Sequence, residues 1–335
     1  MAMTSSGNGD GGGGGLEPGG PGVRAGSGAH PRPGAAPFRG KDGDGGDDIF
    51  DLDRFLRVSR RLDLSAVAWD EVRAHELTPD EARTLTYMMD IESHTIIYLR
   101  DLLATRAALE PDVTAFLSCW AYEELWHGEA LSRFLGEAGY RSEPDRGLVQ
   151  GDSPFPSRIA RNRMIRRRVT ARDLGTHLGM ALASAAMRDF VALHMTWGAV
   201  NELSTLTAYR RLAAKTGHPV LRALLTEITK DERRHFAFYR AQARLRLGRS
   251  PAARAITRWA LDHVWSPVGS GVRPRAETDH TIAYLFGDAA GRAAAADLDR
   301  VLGRLPGLAG IDIVSRSVAA ATGRVHAGAA AAAGA

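Results

Sequence analysis

A single cysteine, Cys119, leaves this 335-residue chain without an intrachain disulfide and without the thiolates of a Cys-rich metal cluster. Cys119 neighbours Trp120 in an apolar helical pattern, where a small core filler is the expected role rather than a nucleophile. No run of about 18 apolar residues occurs, so no membrane-spanning helix is expected. An apolar secretory core is also missing near the start, and the expected compartment is the cytoplasm. Apolar side chains are scarce through residue 47, where glycine, proline and aspartate dominate. That stretch is expected to be a disordered tail, because it cannot bury enough surface to offset its chain entropy. The remainder is different: hydrophobic residues make up 44% of the whole chain, enough to fill a substantial core.

Within that remainder, the run Asp231 to His235, DERRH, interrupts an apolar helical stripe of Leu221, Leu225, Ile228 and Tyr239. Glu232 and His235 stand one helical turn apart on that stripe. A buried carboxylate is costly unless it is paired or bound to a metal. The pattern recurs at Glu124 and His127, on a seam of Val113, Phe116, Trp120, Leu131 and Phe134. Two further helices carry one carboxylate each on the corresponding stripe: Glu92 among Leu85, Met88, Ile96, Leu99 and Leu103, and Glu202 among Met195, Thr205, Tyr209 and Leu212. The order is Glu, Glu-x-x-His, Glu, Glu-x-x-His.

The positions also agree in depth. Glu92 and Glu124 lie about 15 and 13 residues on either side of a turn at Leu109-Glu110-Pro111, or roughly 20 Å from it at ~1.5 Å per residue. Glu202 and Glu232 lie about 14 residues from a second turn at Thr216-Gly217-His218-Pro219, again roughly 20 Å. Two antiparallel hairpins would therefore bring four carboxylates and two imidazoles to one layer. This is the ligand set of ferritin-like di-iron or di-manganese carboxylate proteins. Oxygen-rich ligation with imidazole suits iron or manganese. A third Glu-x-x-His, Glu277 to His280, follows a Gly/Pro-rich loop and reads as chance.

The expected fold is all-α: a ferritin-like four-helix bundle with additional flanking helices over residues 48–320, followed by an Ala/Gly-rich frayed tail from 321 to 335. One or two short helices precede the bundle, with Trp69 as a core anchor. Thr78 as N-cap and Pro79 at the first helical position open the first core helix. His94 lies off the Glu92 face; His177 and His194 read as core or rim histidines. The apolar segment from 171 either runs into the Glu202 helix or breaks near Gly198. A helix from Pro251, a loop from Ser266 to Pro274, a helix near Arg292 to Leu305 and a short one from Ile311 complete the chain. Between the hairpins, Arg161, Arg163, Arg166, Arg167 and Arg168 form the densest charge cluster. It reads either as a dock for an acidic partner or as a solvated helix face. No recognition motif accompanies it, so nucleic acid is not expected.

The segments MMDIESHTIIYLRDLL, CWAYEELWHGEAL, TWGAVNELSTLTAYRRLA and TEITKDERRHFAFY, taken in order, resemble the soluble acyl-[acyl-carrier-protein] desaturases over about residues 80 to 245. The resemblance implies that Glu92 and Glu202 are terminal ligands to two iron ions, with manganese an alternative. It also implies that Glu124 and Glu232 bridge the metals and that His127 and His235 complete the set. Asp231 and Arg234 would orient the histidines and bridging carboxylates. Thr205, one turn from Glu202, matches a threonine near the oxygen-binding side, where it could donate a hydrogen bond or proton to dioxygen; a threonine satisfied by its own helix is the other reading. The implied activity is oxygen-dependent desaturation of an acyl chain on acyl-carrier protein, with a ferredoxin-type electron donor and a homodimeric enzyme. Both protein partners are acidic, which favours the docking role for the arginine cluster.

The sequence departs from that family outside the core helices, and the branch between alkene and alcohol is not fixed by it. A di-iron hydroxylase or N-oxygenase of secondary metabolism is an alternative, although Ile228 stands where such N-oxygenases carry an extra histidine. A ferritin-like ferroxidase is another.

Overall fold

The computed structural model describes residues 50–140 and 171–333. The expected tail through residue 47 and the arginine cluster from Arg161 to Arg168 lie outside them. Among the described residues there are ten α-helices and no β-sheet. Four long helices form the bundle: α2 (Pro79–Leu103), α3 (Pro111–Glu137), α5 (Phe190–Lys215) and α6 (Pro219–Arg249). α2 packs along α3 and α5 along α6, each pair joined by a short connection, so each is an antiparallel hairpin.

Local chemistry fixes where these helices begin. Thr78 and Glu81 form a reciprocal capping box, with the Thr78 hydroxyl accepting from the Glu81 amide at 3.2 Å and the Glu81 carboxylate accepting from the Thr78 amide at 2.8 Å. Proline opens α3 and α6, where its missing N–H costs no helical hydrogen bond. His218 caps α6, accepting from the Leu221 amide at 3.2 Å, and its other ring nitrogen reaches the Val72 carbonyl at 3.0 Å. That second bond ties the Trp69–Ala74 3-10 turn to the end of the second hairpin. Leu85, Met89, Phe116, Phe134, Met195, Leu225 and Phe238 are among the fully buried side chains between the helices.

The flanking helices are α1 (Leu52–Val58), α4 (Ala171–Ala186), α7 (Pro251–His263), α8 (Arg275–Phe286), α9 (Ala289–Leu302) and α10 (Ile313–Ala333). α8 lies on α2 and α10, and α9 lies on α5, so these three wall the outer side of α2 and α5. Trp69 is half-buried against the core and carries the Arg133 guanidinium over its ring at 3.9 Å.

Three elements differ from expectation. The break before the Glu202 helix falls at residues 187–189, not near Gly198, which sits inside α5. A Cβ at Gly198 would meet the Tyr239 ring at 2.3 Å, so the glycine serves close packing rather than a bend. α8, directly after the expected loop from Ser266 to Pro274, is a helix that was not expected, around a motif read as chance. Its buried face includes Thr278, Asp279 and Thr281, and the test of apolar periodicity passes over such a face. Asp279 there holds Arg324 of α10 through two bonds of 2.6 Å. Finally, α10 does not fray at 321 but continues to Ala333. Alanine has the lowest helical cost, and Ala321 is itself fully buried.

Candidate metal centre

Glu92 of α2, Glu124 and His127 of α3, Glu202 of α5, and Glu232 and His235 of α6 are all buried. They form two groups, each able to hold one metal ion: Glu92, Glu124, His127 and Glu232; and Glu124, Glu202, Glu232 and His235. Within each group the ligand atoms lie within 4.8 Å of one another. Glu124 and Glu232 belong to both groups, the position of bridging carboxylates.

The two histidines are presented alike. His127 turns Nδ1 inward, 3.4 Å from Glu124 and 3.2 Å from Glu232, and its Nε2 faces Asp231 at 3.2 Å. His235 turns Nδ1 inward, 3.0 Å from Glu124 and 3.6 Å from Glu202, and its Nε2 faces Glu123 at 2.7 Å. The outer carboxylates accept from Nε2–H, which leaves each Nδ1 lone pair aimed at the carboxylate layer. Arg234 joins the two outer acids, donating to Glu123 at 2.9 Å and pairing with Asp231 at 2.8 Å.

Both inward nitrogens and both Glu232 oxygens are buried without a hydrogen-bond partner in the protein. Buried polar atoms are seldom left so. Four carboxylates with two neutral imidazoles match the charge of two divalent cations, which resolves the cost of burying them together. The donor set therefore fits a dimetal centre.

Without cations the same crowding forces protons into the layer. Burial, then the Glu124 charge, raises Glu92 well above the ordinary carboxylate range, and burial pushes Glu202 up to about 8. Burial and the Glu124 charge also raise Glu232. Burial opposes the charge on Glu124, but its neighbours Glu92, His127 and His235 hold it well below that range. Burial likewise opposes charge on the histidines, and their carboxylate partners overcome it, raising both.

Of the two residues expected to orient the histidines and bridging carboxylates, Asp231 faces His127 and Arg234 contacts Glu123 and Asp231. Glu123 had no role in that expectation, although the signal was present: Glu123-Glu124-x-x-His127 mirrors Asp231-Glu232-x-x-His235. Tyr209, read as part of an apolar stripe, donates its hydroxyl to Glu92. Thr205 lies on a cavity of about 100 Å³ that reaches Glu92 and Tyr209 and is otherwise walled mainly by apolar side chains from α2, α5, α8, α9 and α10, among them Ile91, Leu285 and Val318. Its hydroxyl has no hydrogen bond among the described residues, whereas the neighbouring Ser204 and Thr207 each donate to their own helix at 2.7 and 2.8 Å. The third motif is remote from the metal layer, with Glu277 paired to Arg83 at 2.9 Å. His177 pairs with Asp101 at 2.7 Å. His194 is buried with neither ring nitrogen hydrogen-bonded, unlike the satisfied histidine expected.

No helix among the described residues is long and apolar enough to cross a membrane. No protein family and no curated protein matches the chain. Solved structures similar to it include a point mutant of an R2-like ligand-binding oxidase with aerobically reconstituted Mn/Fe cofactor, at 14% identity over 81% of this chain and 91% of that one, with a TM-score of 0.46. An R2-like ligand-binding oxidase with aerobically reconstituted metal cofactor after photoconversion is similar at 14% identity over 81% and 90%, with a TM-score of 0.45.

Proposed function

We propose that this chain is a dimetal, oxygen-dependent oxidoreductase acting on a C–H bond of an apolar substrate. The observation that carries the reading is the pair of four-residue groups sharing Glu124 and Glu232. Glu92, Glu124, His127, Glu202, Glu232 and His235 would hold two iron ions, with manganese as the alternative. Bound in that set, the metals supply electrons to dioxygen and the oxidising power needed at an unactivated C–H bond.

The protein's own groups divide the labour by side. On the α3 and α6 side, Asp231 and Glu123 orient the imidazoles, and Arg234 fixes both acids. On the α2 and α5 side, Tyr209 holds Glu92 through its hydroxyl. There Thr205 lines the cavity, where its hydroxyl would donate a hydrogen bond to the occupant. The cavity volume equals roughly three to four water molecules, room for a slim apolar segment. Burial of the ligands limits competition from bulk water with that segment.

The narrower reading is desaturation of an acyl chain carried by acyl-carrier protein, with a ferredoxin-type donor, in a cytoplasmic homodimer. It is supported by the motif-by-motif resemblance of the four core segments and by the apolar lining of the cavity. The arginines from Arg161 to Arg168 are the proposed dock for the acidic partners.

The test is anaerobic reconstitution with iron-57, exposure to oxygen and Mössbauer spectroscopy. Two coupled irons per chain and their loss in Glu124→Ala or His235→Ala are expected, with helical content retained. A variant that keeps full oxygen-dependent activity would sink the assignment. Acyl-carrier-protein substrates then separate the narrower reading: an alkene product supports it, and an alcohol replaces it with hydroxylation.

A further inference from the structure

The cavity that reaches Glu92 and Tyr209 has two unlike walls. α2 and α5 supply one, and their bundle packing fixes the Glu92 and Thr205 positions on it. α10 contributes the other, through Val314, Ser317 and Val318. Those three stand at i, i+3 and i+4, so they form one stripe of the helix. α8 lies on α2, α9 lies on α5, and α10 packs on both α8 and α9. α10 therefore roofs the space over α2 and α5, and the cavity lies between that roof and Glu92.

The roof is held by bonds that its cavity-lining side chains do not make. The Asp299 carboxylate of α9 accepts from the Val314 and Ser315 amides at 3.0 and 2.9 Å, at the start of α10. Farther along, Arg324 donates twice to Asp279 of α8, and Arg316 pairs with Asp262 of α7 at 3.0 Å. With the backbone anchored to α7, α8 and α9, a change of volume at Val314 or Val318 alters the cavity more than it moves the helix. Both valines are buried, and a β-branched side chain strongly prefers one rotamer in a helix. The wall is stiff, and a cavity of about 100 Å³ has little room to absorb a change in it.

We propose that Val314 and Val318 are the specificity-determining residues of this site, and that they select an unbranched alkyl chain by its length. The alkyl end meets the valine methyl groups, so the roof sets how far the chain extends from Glu92. On the dimetal reading above, that distance also sets which carbon is oxidised. One methylene more or less in a hydrophobic pocket discriminates between ligands by about 10–200-fold.

Isothermal calorimetry of the full chain with n-alkanols from butanol to decanol tests the assignment, with metal content measured on the same samples. The wild type should show an optimum length, with affinity falling about tenfold or more for longer members. Val318→Ala should move the optimum to a longer alkanol and Val318→Ile to a shorter one, with circular dichroism unchanged. The two substitutions change volume in opposite directions, so either folded variant decides the matter. An unchanged optimum in a folded variant overturns the proposal, as does a wild type that binds none of the series. Full metal uptake alongside that result leaves the dimetal reading in place. Conversely, shifted optima in a chain that takes up no metal support selection by the valines and overturn the dimetal reading.

Discussion

Glu123 and Asp231 each stand one residue before a bridging-type carboxylate, and each holds the histidine of the opposite helix. The exchange is reciprocal, so α3 and α6 orient one another's imidazoles. Glu123→Gln and Asp231→Asn should leave the fold intact but weaken metal binding by about 10–100-fold in a chelator competition. Equal affinity in variant and wild type would remove the orienting role. His194 makes a different prediction. Burial, then the Arg246 charge, lowers its folded pKa from 6.5 to about 4. The unfolded chain therefore takes up a proton near 6.5 that the folded chain refuses until near 4, so stability is lost as the pH falls through that window. At pH 5 the loss attributable to this group is about 2 kcal/mol. Denaturant unfolding at pH 8 and pH 5 should show a smaller drop in His194→Phe than in the wild type.

At the scale of elements, α5 depends on one glycine. A glycine inside an exposed helix is about 0.5–1 kcal/mol worse than alanine, and its replacement ordinarily stabilises. At Gly198 the sign should reverse, because a methyl group meets the Tyr239 ring at 2.3 Å. Gly198→Ala is expected to cost about 1–3 kcal/mol in thermal or denaturant unfolding, and a stabilised variant would show that the two helices have slack. α2 offers a milder case. Thr78→Ala removes one half of the capping box and should cost about 1 kcal/mol.

For the whole molecule, the candidate metal layer is where burial of like charges opposes folding, and bound cations would reverse that. Four carboxylates from four helices are crowded together there, and cations turn that repulsion into cross-links between the hairpins. A metal ion at a hundred times its dissociation constant should add about 2.7 kcal/mol per site, read as a rise in unfolding temperature that a chelator reverses. Indifference of the unfolding temperature to iron and manganese would leave the layer without a ligand.

Much of this was written in the chain itself. The two Glu-x-x-His pairs, the two single glutamates and the equal distances to the turns placed six side chains in one layer, because helical rise is constant and proline and capping residues mark the starts. Sequence spacing could not pair Glu123 with His235, since that bond joins residues 112 positions apart on different helices. Nor could it show that Tyr209 leaves an apolar stripe to donate to Glu92, or that Gly198 is a notch rather than a break. α8 escaped notice because polar partners on another helix satisfy its buried face. The sequence by itself determined the layer, since periodicity along one helix is local. Only the tertiary structure decided which groups hold the histidines, where the cavity opens and what lies beside the metal layer, because those depend on contacts between helices that no local pattern encodes.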